Sequence, residues 1–587
     1  MKYYKSAAVA FLTILIALPF VCAAYQGPKP EGEIIASIPF DPAVNGFGFR
    51  NFGKNLDFEE DLTADDVIRI FGAANVCIEG TTAKDCELYE TADRWIEQMI
   101  KMAEGGHCDG FSAASLRMFM GRPFKGRKDP AAFQSGAEHL FDLKKDQVTS
   151  NFITFHHSLQ SLKEVSEFRM ETFKKKPSDI LQMLIESMET KKDLYTLGIG
   201  VLIDGKYARG HSIVPFAVED MGEDNFRIHV YDNNYPGETK YVYMNTKAET
   251  WRYHTASDPS KTANDYIGNA NTHTMSLKRM SDRLRNRFGC SFCDEDEGGD
   301  DAMIEPRSSS PFMNASYTLN PVAAHTPAAP KAEALTVLSS GDVDLLITDP
   351  NGKRIGYDVA KKLTVNEIPG AVMAVQDSDS DTDGDVPPAF TLPVNAANKK
   401  PYKINVHGTN SKYMSDLQIA GAGFVVGFED ISVDKGESLN MTFTQDGREL
   451  TFTASADGET PSLYISTDSG KTKPSYDFEI GGITLAPGKT VTIKLDLEKG
   501  FLYFKDDDGD QDKYDVKIVR MNPNGKKDEF DESDMDVGKD NNYVLNFGAW
   551  DGKGAMCVKD DADETKLDKD ECHNLTSQKP IPKKPKH

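Results

Sequence analysis

Beyond residue 24 the chain has no long apolar run, and it has few cysteines, few tryptophans and a shortage of basic residues. Its 587 residues include 8 cysteines and 3 tryptophans, and 67 basic residues stand against 92 acidic ones, which gives a formal net charge of -25. This shortage of basic residues argues against nucleic acids and anionic membranes as partners, because both bind through basic surfaces. The lack of a later apolar run argues against a transmembrane anchor.

Residues 1–24 have the features of a secretory signal peptide. Two lysines precede an apolar run over 7–21, and small residues at 22–24 offer a cleavage site. A lipoprotein anchor on Cys22 is the alternative, but bulky residues stand directly before this cysteine, where small ones are expected. We therefore expect a secreted or extracytoplasmic protein, at the cell surface or in the periplasm.

The cysteines that follow the signal peptide fall into close pairs, with Cys108 left over. Structural thiols of an exported chain oxidise in pairs, so an odd thiol is reactive, intermolecular or buried and inert. No second close pair accompanies Cys290 and Cys293, which favours a disulfide there over half of a zinc site. By proximity we expect three disulfides: Cys77 with Cys86, Cys290 with Cys293, and Cys557 with Cys572.

Composition changes sharply near residue 288 and divides the chain. Residues 25–288 alternate helical and strand patterns, whereas 289–334 are acidic and then rich in Ser, Pro and Ala, which is typical of a linker. Short β-branched and aromatic runs then predict two antiparallel β-sandwich modules, over 335–408 and 411–523. We expect 524–587 to form an acidic, disulfide-stapled segment with a tail. The predicted fold class is α+β.

Cys108 stands where a glycine-rich turn leads into a helical pattern. The run Gly-Gly-His-Cys-Asp-Gly covers 105–110, and apolar or small residues recur at helical spacing from Phe111 to Phe119. This spacing predicts a helix that begins at or near Cys108. A helix N-terminus stabilises a thiolate, and its free backbone N–H groups can donate to a developing oxyanion. Cys108 is therefore the candidate nucleophile.

A candidate base and its partner follow in a predicted three-stranded region over 197–231. His211 begins the second strand and Asp232 follows the third. Antiparallel pairing of these strands would bring the two side chains together, with the imidazole as general base and the carboxylate as its orienter. Asn233 is the alternative orienter, because successive strand residues point to opposite faces, and only one of the two can face His211 if the third strand continues that far.

These motifs resemble those of papain-like cysteine peptidases, in particular the group that contains the bacteriocin-leader peptidases. The chain is also similar to a set of exported bacterial proteins of uncertain activity, and the resemblance covers about 38–245. It rests on Phe-Asp-Pro-Ala-Val-Asn-Gly-Phe at 40–47, Gly-His-Cys-Asp-Gly at 106–110, Gly-His-Ser at 210–212 and Tyr-Asp-Asn-Asn-Tyr-Pro-Gly at 231–237.

The resemblance implies a papain-like fold for the first domain, with Cys108 as nucleophile, His211 as base and Asp232 as orienter. The family generally places a glutamine about six residues before the cysteine to complete the oxyanion hole. Met102 stands at that position here, and the nearest upstream glutamine is Gln98. Gln98 is therefore the candidate oxyanion donor, with another side chain or backbone N–H groups as the alternatives.

The predicted function is a secreted cysteine hydrolase that cleaves amide bonds of a peptide or protein through a thioester intermediate. A transglutaminase-type acyl transferase would use the same three side chains. The alternative from another class is a non-catalytic adhesion or matrix module built on the same fold. In each case the β-sandwich modules are expected to bind a cell-surface or extracellular ligand or to act as spacers.

No cofactor is expected, although one acidic run begins like a calcium-binding loop. Asp379, Asp381 and Asp383 alternate before a glycine, but Phe390 stands where the loop requires a final glutamate. Weak calcium binding and solvated acidic turns are the two interpretations of this run.

The cysteine count generates the first prediction. After removal of the signal peptide, alkylation of the unfolded chain without reductant should modify one thiol, that of Cys108. The structural cysteines are expected to resist alkylation because they are already oxidised. Intact mass followed by peptide mapping measures this. Recovery of Cys108 in a disulfide with any other cysteine would remove it as the nucleophile.

Overall fold

The computed structural model describes the residues 25–53, 62–255, 265–294, 334–378, 387–394, 400–409, 414–455, 461–507, 512–537, 542–553, 556–559 and 573–575. Within these ranges the chain is a mixed α+β protein with mainly antiparallel sheets. Several predictions fall on residues outside the described ranges: the signal peptide at 1–24, most of the linker at 295–333, the calcium candidates Asp379, Asp381 and Asp383, and the pairing of Cys557 with Cys572.

The described α-helices all precede residue 294. Local sequence sets their ends: Thr63 and Asp66 form a capping box, and Pro177 occupies a first-turn position that needs no backbone N–H. None of the helices described is long and apolar enough to cross a bilayer. They are Pro42–Asn45 (α1), Ala64–Phe71 (α2), Ala73–Val76 (α3), Glu90–Met102 (α4), Cys108–Phe119 (α5), Gln147–Ser158 (α6), Lys163–Thr172 (α7), Pro177–Thr190 (α8) and Met280–Arg283 (α9).

The described residues of the first part also form ten strands: Glu33–Ser37 (β1), Cys77–Glu79 (β2), Glu87–Leu88 (β3), Tyr195–Ile203 (β4), Lys206–Gly222 (β5), Asn225–Tyr231 (β6), Thr239–Asn245 (β7), Thr250–Tyr253 (β8), Tyr266–Asn269 (β9) and Met275–Arg279 (β10). Eight of them form one sheet in the order β10-β4-β5-β6-β7-β8-β9, with β1 paired to β5. The long strand β5 therefore joins both halves of the sheet.

The second part is composed of strands: Ala334–Ser339 (β11), Val343–Thr348 (β12), Arg354–Asp358 (β13), Leu363–Asn366 (β14), Val372–Ala374 (β15), Ala389–Pro393 (β16), Tyr402–Gly408 (β17), Ser415–Gly421 (β18), Phe424–Ile431 (β19), Ser438–Phe443 (β20), Glu449–Thr453 (β21), Ser462–Thr467 (β22), Ser475–Gly481 (β23), Thr490–Asp496 (β24), Phe501–Asp506 (β25), Asp512–Met521 (β26), Lys527–Val537 (β27), Asn542–Asn546 (β28), Met556–Lys559 (β29) and His573–Leu575 (β30). They form a nine-stranded sheet, β15-β16-β11-β18-β19-β22-β23-β26-β27, and an eleven-stranded sheet, β14-β13-β12-β17-β20-β21-β24-β25-β28-β29-β30.

Both sheets run across the boundaries predicted near residues 408 and 523. β11 pairs with β18, β17 pairs with β20, and β26 pairs with β27. The physical reason is a shared core, because inward-facing residues of both sheets belong to one apolar cluster that extends from Leu335 to Met556. The hydrogen bonding thus does not divide where the composition suggested separate modules.

The first part of the chain packs against the outer face of the nine-stranded sheet through α4. Its apolar core includes Ala420, Val425 and Tyr464 from that sheet. Arg94 on α4 lies over the Tyr464 ring at 4.3 Å and pairs with Asp477 at 3.1 Å. The nine-stranded sheet is therefore covered on both faces, by the eleven-stranded sheet and by the helical layer.

Residues 289–294, where the predicted linker begins, belong to the core of the first part. Phe292 is buried, and the centroid of its ring lies 5.2 Å from that of Phe71 and 6.4 Å from that of Trp95. The disulfide between Cys290 and Cys293 closes the turn that carries Phe292. The acidic composition of this stretch suggested a linker, but its single large aromatic side chain anchors it.

The first part of the chain shares an apolar core with the nine-stranded sheet. We therefore predict that the first and second parts stay together when the chain is cut between them. A site-specific protease sequence inserted between residues 305 and 330 should yield two fragments that co-elute on size exclusion in native buffer. The cut Val425→Asp variant should elute as separate fragments, since it buries an unpaired charge in the interface, at a cost of several kcal/mol. Separate elution of the cut wild-type fragments would contradict the prediction.

Candidate active site

Cys108 is the first residue of α5, as the helical pattern predicts. Nearly every residue of this helix is buried, because α5 lies between α6 on one side and β5 on the other. Phe111 contributes to the helical core, and Leu116 contributes to the core against the sheet. The Ser112 hydroxyl donates to the carbonyl oxygen of Ser212 at 2.9 Å. The helix that carries the candidate nucleophile is thus fixed directly to β5.

His211 and Asp232 meet at the sheet, as antiparallel pairing of their strands predicts. His211 Nε2 lies 2.8 Å from Asp232 Oδ1, and both side chains are buried. The thiol of Cys108 interacts with the His211 ring. Apart from this thiol, His211 Nδ1 has no hydrogen-bond partner among the described residues. The ring is therefore held by the carboxylate through one nitrogen, which leaves the other for the thiol.

Two tyrosines complete the surroundings of this pair. The Tyr253 hydroxyl, from β8, donates to Asp232 Oδ2. The Tyr266 ring, from β9, is stacked with the His211 ring at 6.2 Å between centroids. Neither tyrosine has a local sequence signal, because each comes from a strand near the far edge of the sheet and reaches the site only through the sheet's curvature.

Burial and neighbouring charge shift the pKa values of His211 and Asp232 in opposite directions. Burial lowers the pKa of His211, but the charge and hydrogen bond of Asp232 outweigh it, so this pKa lies well above the usual 6.5. Burial raises the pKa of Asp232, but His211 and the Tyr253 hydrogen bond lower it overall. The pair is therefore ionised as imidazolium and carboxylate.

The Cys108 thiol is fully buried and free. Burial raises its pKa above the usual 9.0, and the carboxylates of Asp377 and Asp109 add to this effect, whereas His211 opposes it. In this conformation the neutral thiol is the favoured form. A thiolate would form more readily once water or a substrate reached the site.

Among the described residues, no hydrogen bond joins Asn233 to His211. Its amide nitrogen donates to the carbonyl oxygens of Cys108 and Ser212, at 3.1 and 3.0 Å. Of the two candidate orienters, the structure therefore brings Asp232 to the base, while Asn233 joins the start of α5 to the backbone beside His211. Both residues lie beyond the end of β6, so the turn that follows this strand, and not strand alternation, separates their side chains.

The oxyanion candidate Gln98 lies on α4, and no contact with Cys108 is seen within the described ranges. Gln98 is buried, and its Nε2 atom has no hydrogen-bond partner in the part of the chain described. Met102, which replaces the expected glutamine, lines a small cavity together with His157, Gln160 and Gln376. Of the two glutamines that line this cavity, Gln160 belongs to the first part of the chain. No sequence motif pointed to it.

A cluster of buried charges lies next to Cys108. Asp109 pairs with Lys278 and with Arg283, each at 2.5 Å, and these side chains have no exposure to solvent. Burial raises the pKa of Asp109, but the two cations lower it overall. This cluster fixes the first turn of α5 to β10 and α9, so it positions the candidate nucleophile from the opposite side to Asn233.

Within the described ranges, no group of three or more His, Cys, Asp or Glu side chains has the arrangement of a metal site. Comparisons with protein-family models, curated proteins and solved structures found no match to this chain.

The distinct contacts of Asp232 and Asn233 generate a prediction. The folded pKa of His211 lies above the ordinary 6.5, so protonated His211 stabilises the fold below about pH 6.5, and this contribution is lost as the pH rises through the folded pKa. Asp232→Asn should lower the pKa of His211 and cost about 3 kcal/mol near pH 5, and less above the folded pKa. Imidazole NMR titration and urea unfolding across pH measure both effects.

Asn233→Ala is the matched control for this experiment. It should cost about 1–3 kcal/mol at every pH, because it removes two hydrogen bonds that a buried amide makes to the backbone, and it should leave the His211 titration in place. A normal His211 pKa in the wild type, or an equal shift in both variants, would contradict the assignment of Asp232 as the partner of the base.

Proposed function

We propose that this protein is a cysteine hydrolase of the papain-like type that cleaves amide bonds in a peptide or protein. One observation carries the proposal: the free Cys108 begins a helix and interacts with His211, whose other side hydrogen-bonds the buried carboxylate of Asp232. Nucleophile, base and orienter in contact are the parts that acyl transfer through a thiol requires.

In the proposed reaction, the Cys108 thiol loses its proton to solvent once the site opens, and the thiolate, paired with protonated His211, attacks the carbonyl carbon of the substrate amide. The C–N bond then breaks, the amine leaves with the proton from His211, and a thioester with Cys108 remains. Water, deprotonated by the now neutral His211, hydrolyses the thioester to a carboxylic acid and restores the thiolate and protonated His211. Asp232 keeps the imidazole oriented and favours its protonated form.

The proposed location of this activity is outside the cytoplasm. Disulfides persist in oxidising compartments, and Cys77–Cys86 and Cys290–Cys293 are both paired. The sandwich is proposed to carry an extracellular or cell-surface ligand site, in addition to its packing against the hydrolase part. Export itself is tested by sequencing the N-terminus of the secreted protein, which should begin near residue 25.

A second candidate function, a non-catalytic module, is favoured by the burial of Cys108. A thiol with no solvent exposure and a raised pKa does not react as a nucleophile in that state. The two candidates differ in one respect, which is whether the thiol becomes reactive through His211.

Alkylation kinetics separate the two candidates. Iodoacetamide should modify Cys108 of the folded wild type near pH 7 about tenfold faster than in His211→Ala, because the imidazole stabilises the thiolate. Asp232→Ala should lie between them, and Cys108→Ala should take no label. Equal rates for the wild type and His211→Ala would favour the non-catalytic module.

A peptide-library digest analysed by mass spectrometry tests hydrolysis itself. Cleaved peptides should appear with the wild type and be absent with Cys108→Ala. A cleavage pattern that survives in Cys108→Ala would contradict the proposed nucleophile.

A further inference from the structure

A segment of the second part of the chain, residues 375–378, lies buried at the candidate active site. This Val-Gln-Asp-Ser segment follows β15 directly. Each of its residues is less than one-tenth exposed, and Asp377 has no exposure at all. The segment thus fills space that belongs to the first part of the chain.

The side chain of Asp377 enters a pocket lined by cations. Its Oδ1 atom lies 2.5 Å from Arg169 on α7, and its Oδ2 atom lies 2.5 Å from Lys278 on β10. The Tyr207 hydroxyl donates to Oδ1 at 3.2 Å. Every one of these partners comes from the first part of the chain, so a carboxylate receives both charge and hydrogen bonds there.

The floor of this pocket is made of glycines. A Cβ atom on Gly198 would lie 2.8 Å from Asp377 Oδ2, and a Cβ atom on Gly210 would lie 2.6 Å from Asp377 Oδ1. Since real side chains do not approach so closely, any other residue at these strand positions would close the pocket. The sheet therefore leaves room for one short acidic side chain.

The pocket also has an excess of positive charge, which an anion can balance. Arg169, Lys278 and Arg283 bring three positive charges, whereas Asp109 and Asp377 bring two negative ones. Without Asp377, the three buried cations would face one carboxylate. Buried cations without a partner are strongly unfavourable, so an outgoing Asp377 must be replaced by another anion or by water.

The backbone of the segment is held beside the candidate base. The N–H of Ser378 donates to the carbonyl oxygen of Gly210 at 3.1 Å, directly before His211. The side-chain amide of Gln160 accepts from the N–H of Asp377 at 2.9 Å and donates to its carbonyl oxygen at 3.2 Å. The peptide bond between Asp377 and Ser378 is thus bound on both sides, as a substrate peptide bond would be.

We propose that Arg169 and Lys278 form a specificity pocket for an acidic residue of the peptide substrate, and that Asp377 of the chain itself occupies this pocket in the structure. The inference rests on the proposed hydrolase function, because it names the residue whose carbonyl group forms the thioester with Cys108. Gln160 binds the backbone of that residue, and the amine released belongs to the residue that follows.

The test compares two electrophilic probes on the full-length protein. They are acyloxymethyl ketones of Ala-Val-Gln-Asp, the sequence of residues 374–377, and of Ala-Val-Gln-Asn. In Asp377→Asn, which weakens the bound segment without changing its size, the Asp probe should label Cys108 about tenfold faster than the Asn probe. The wild type should react slowly with both probes. Asp477→Asn, which removes an interface carboxylate paired with Arg94, should behave like the wild type.

Adding Arg169→Gln to Asp377→Asn should abolish the preference for the Asp probe, since one of the pocket's two cationic partners is lost. Equal labelling by both probes in Asp377→Asn, or a preference that survives Arg169→Gln, would overturn the pocket assignment. If Asp377→Asn does not fold, Gln160→Ala offers a second route, because it removes the backbone clamp and leaves the cations in place. The same preference for the Asp probe is expected there, with slower labelling by both probes because Gln160 also holds the probe's backbone.

A binding measurement separates failure of this inference from failure of the proposed function. Acetylated Ala-Val-Gln-Asp-Ser amide should raise the Tm of Cys108→Ala/Asp377→Asn, and its Asn counterpart should not. This result would support the pocket even if iodoacetamide shows that the thiol is not activated by His211. Activation of the thiol without any difference between the peptides would leave the hydrolase proposal standing and overturn the pocket.

Discussion

The ammonium group of Lys278 lies between two carboxylates, those of Asp109 and Asp377, with no exposure to solvent. A lysine in such a position is stable only while both of its partners are present, because a buried charge without a partner costs several kcal/mol. Asp109 is the second residue of α5, next to Cys108, and Asp377 comes from the segment that follows β15. One side chain thus connects the helix of the candidate nucleophile, the sheet that carries the base and the segment that follows β15.

This constraint explains why the two parts of the chain form one structure. The composition of residues 289–334 predicts a linker between independent units, but the interface buries an apolar core and the ion pairs of Arg94 and Arg169. Separation of the two parts would expose this apolar core to water, which is unfavourable in proportion to the area exposed. The sandwich is therefore part of the environment of the site and not a separate attachment.

The geometry around Cys108 is fixed from several sides. Asn233 and Ser112 join α5 to β5 through backbone carbonyl groups, while Asp109 holds its first turn from the other side. Such a helix start is held by hydrogen bonds and ion pairs on several of its residues. Burial is the largest cause of the raised pKa of Cys108, and the carboxylates of Asp377 and Asp109 add to it.

The sequence by itself determined the local features of this protein: the helix that begins at Cys108, the strands around His211 and Asp232, and the proximity of the latter two. These depend on residue periodicity and on short-range pairing of neighbouring strands, which a single sequence expresses directly. The class of α+β protein with antiparallel sheets follows from the same patterns. The catalytic roles inferred from them remain predictions.

Only the tertiary structure decided which distant residues complete the site. Tyr253, Gln160, Lys278 and Asp377 lie far from Cys108 in sequence, and each is an ordinary residue in its own segment. Their contacts exist because a curved sheet and a second part of the chain bring buried polar groups together, where each must find a partner. The continuity of the two sandwich sheets was decided in the same way, since a shared core pairs strands that the composition separates.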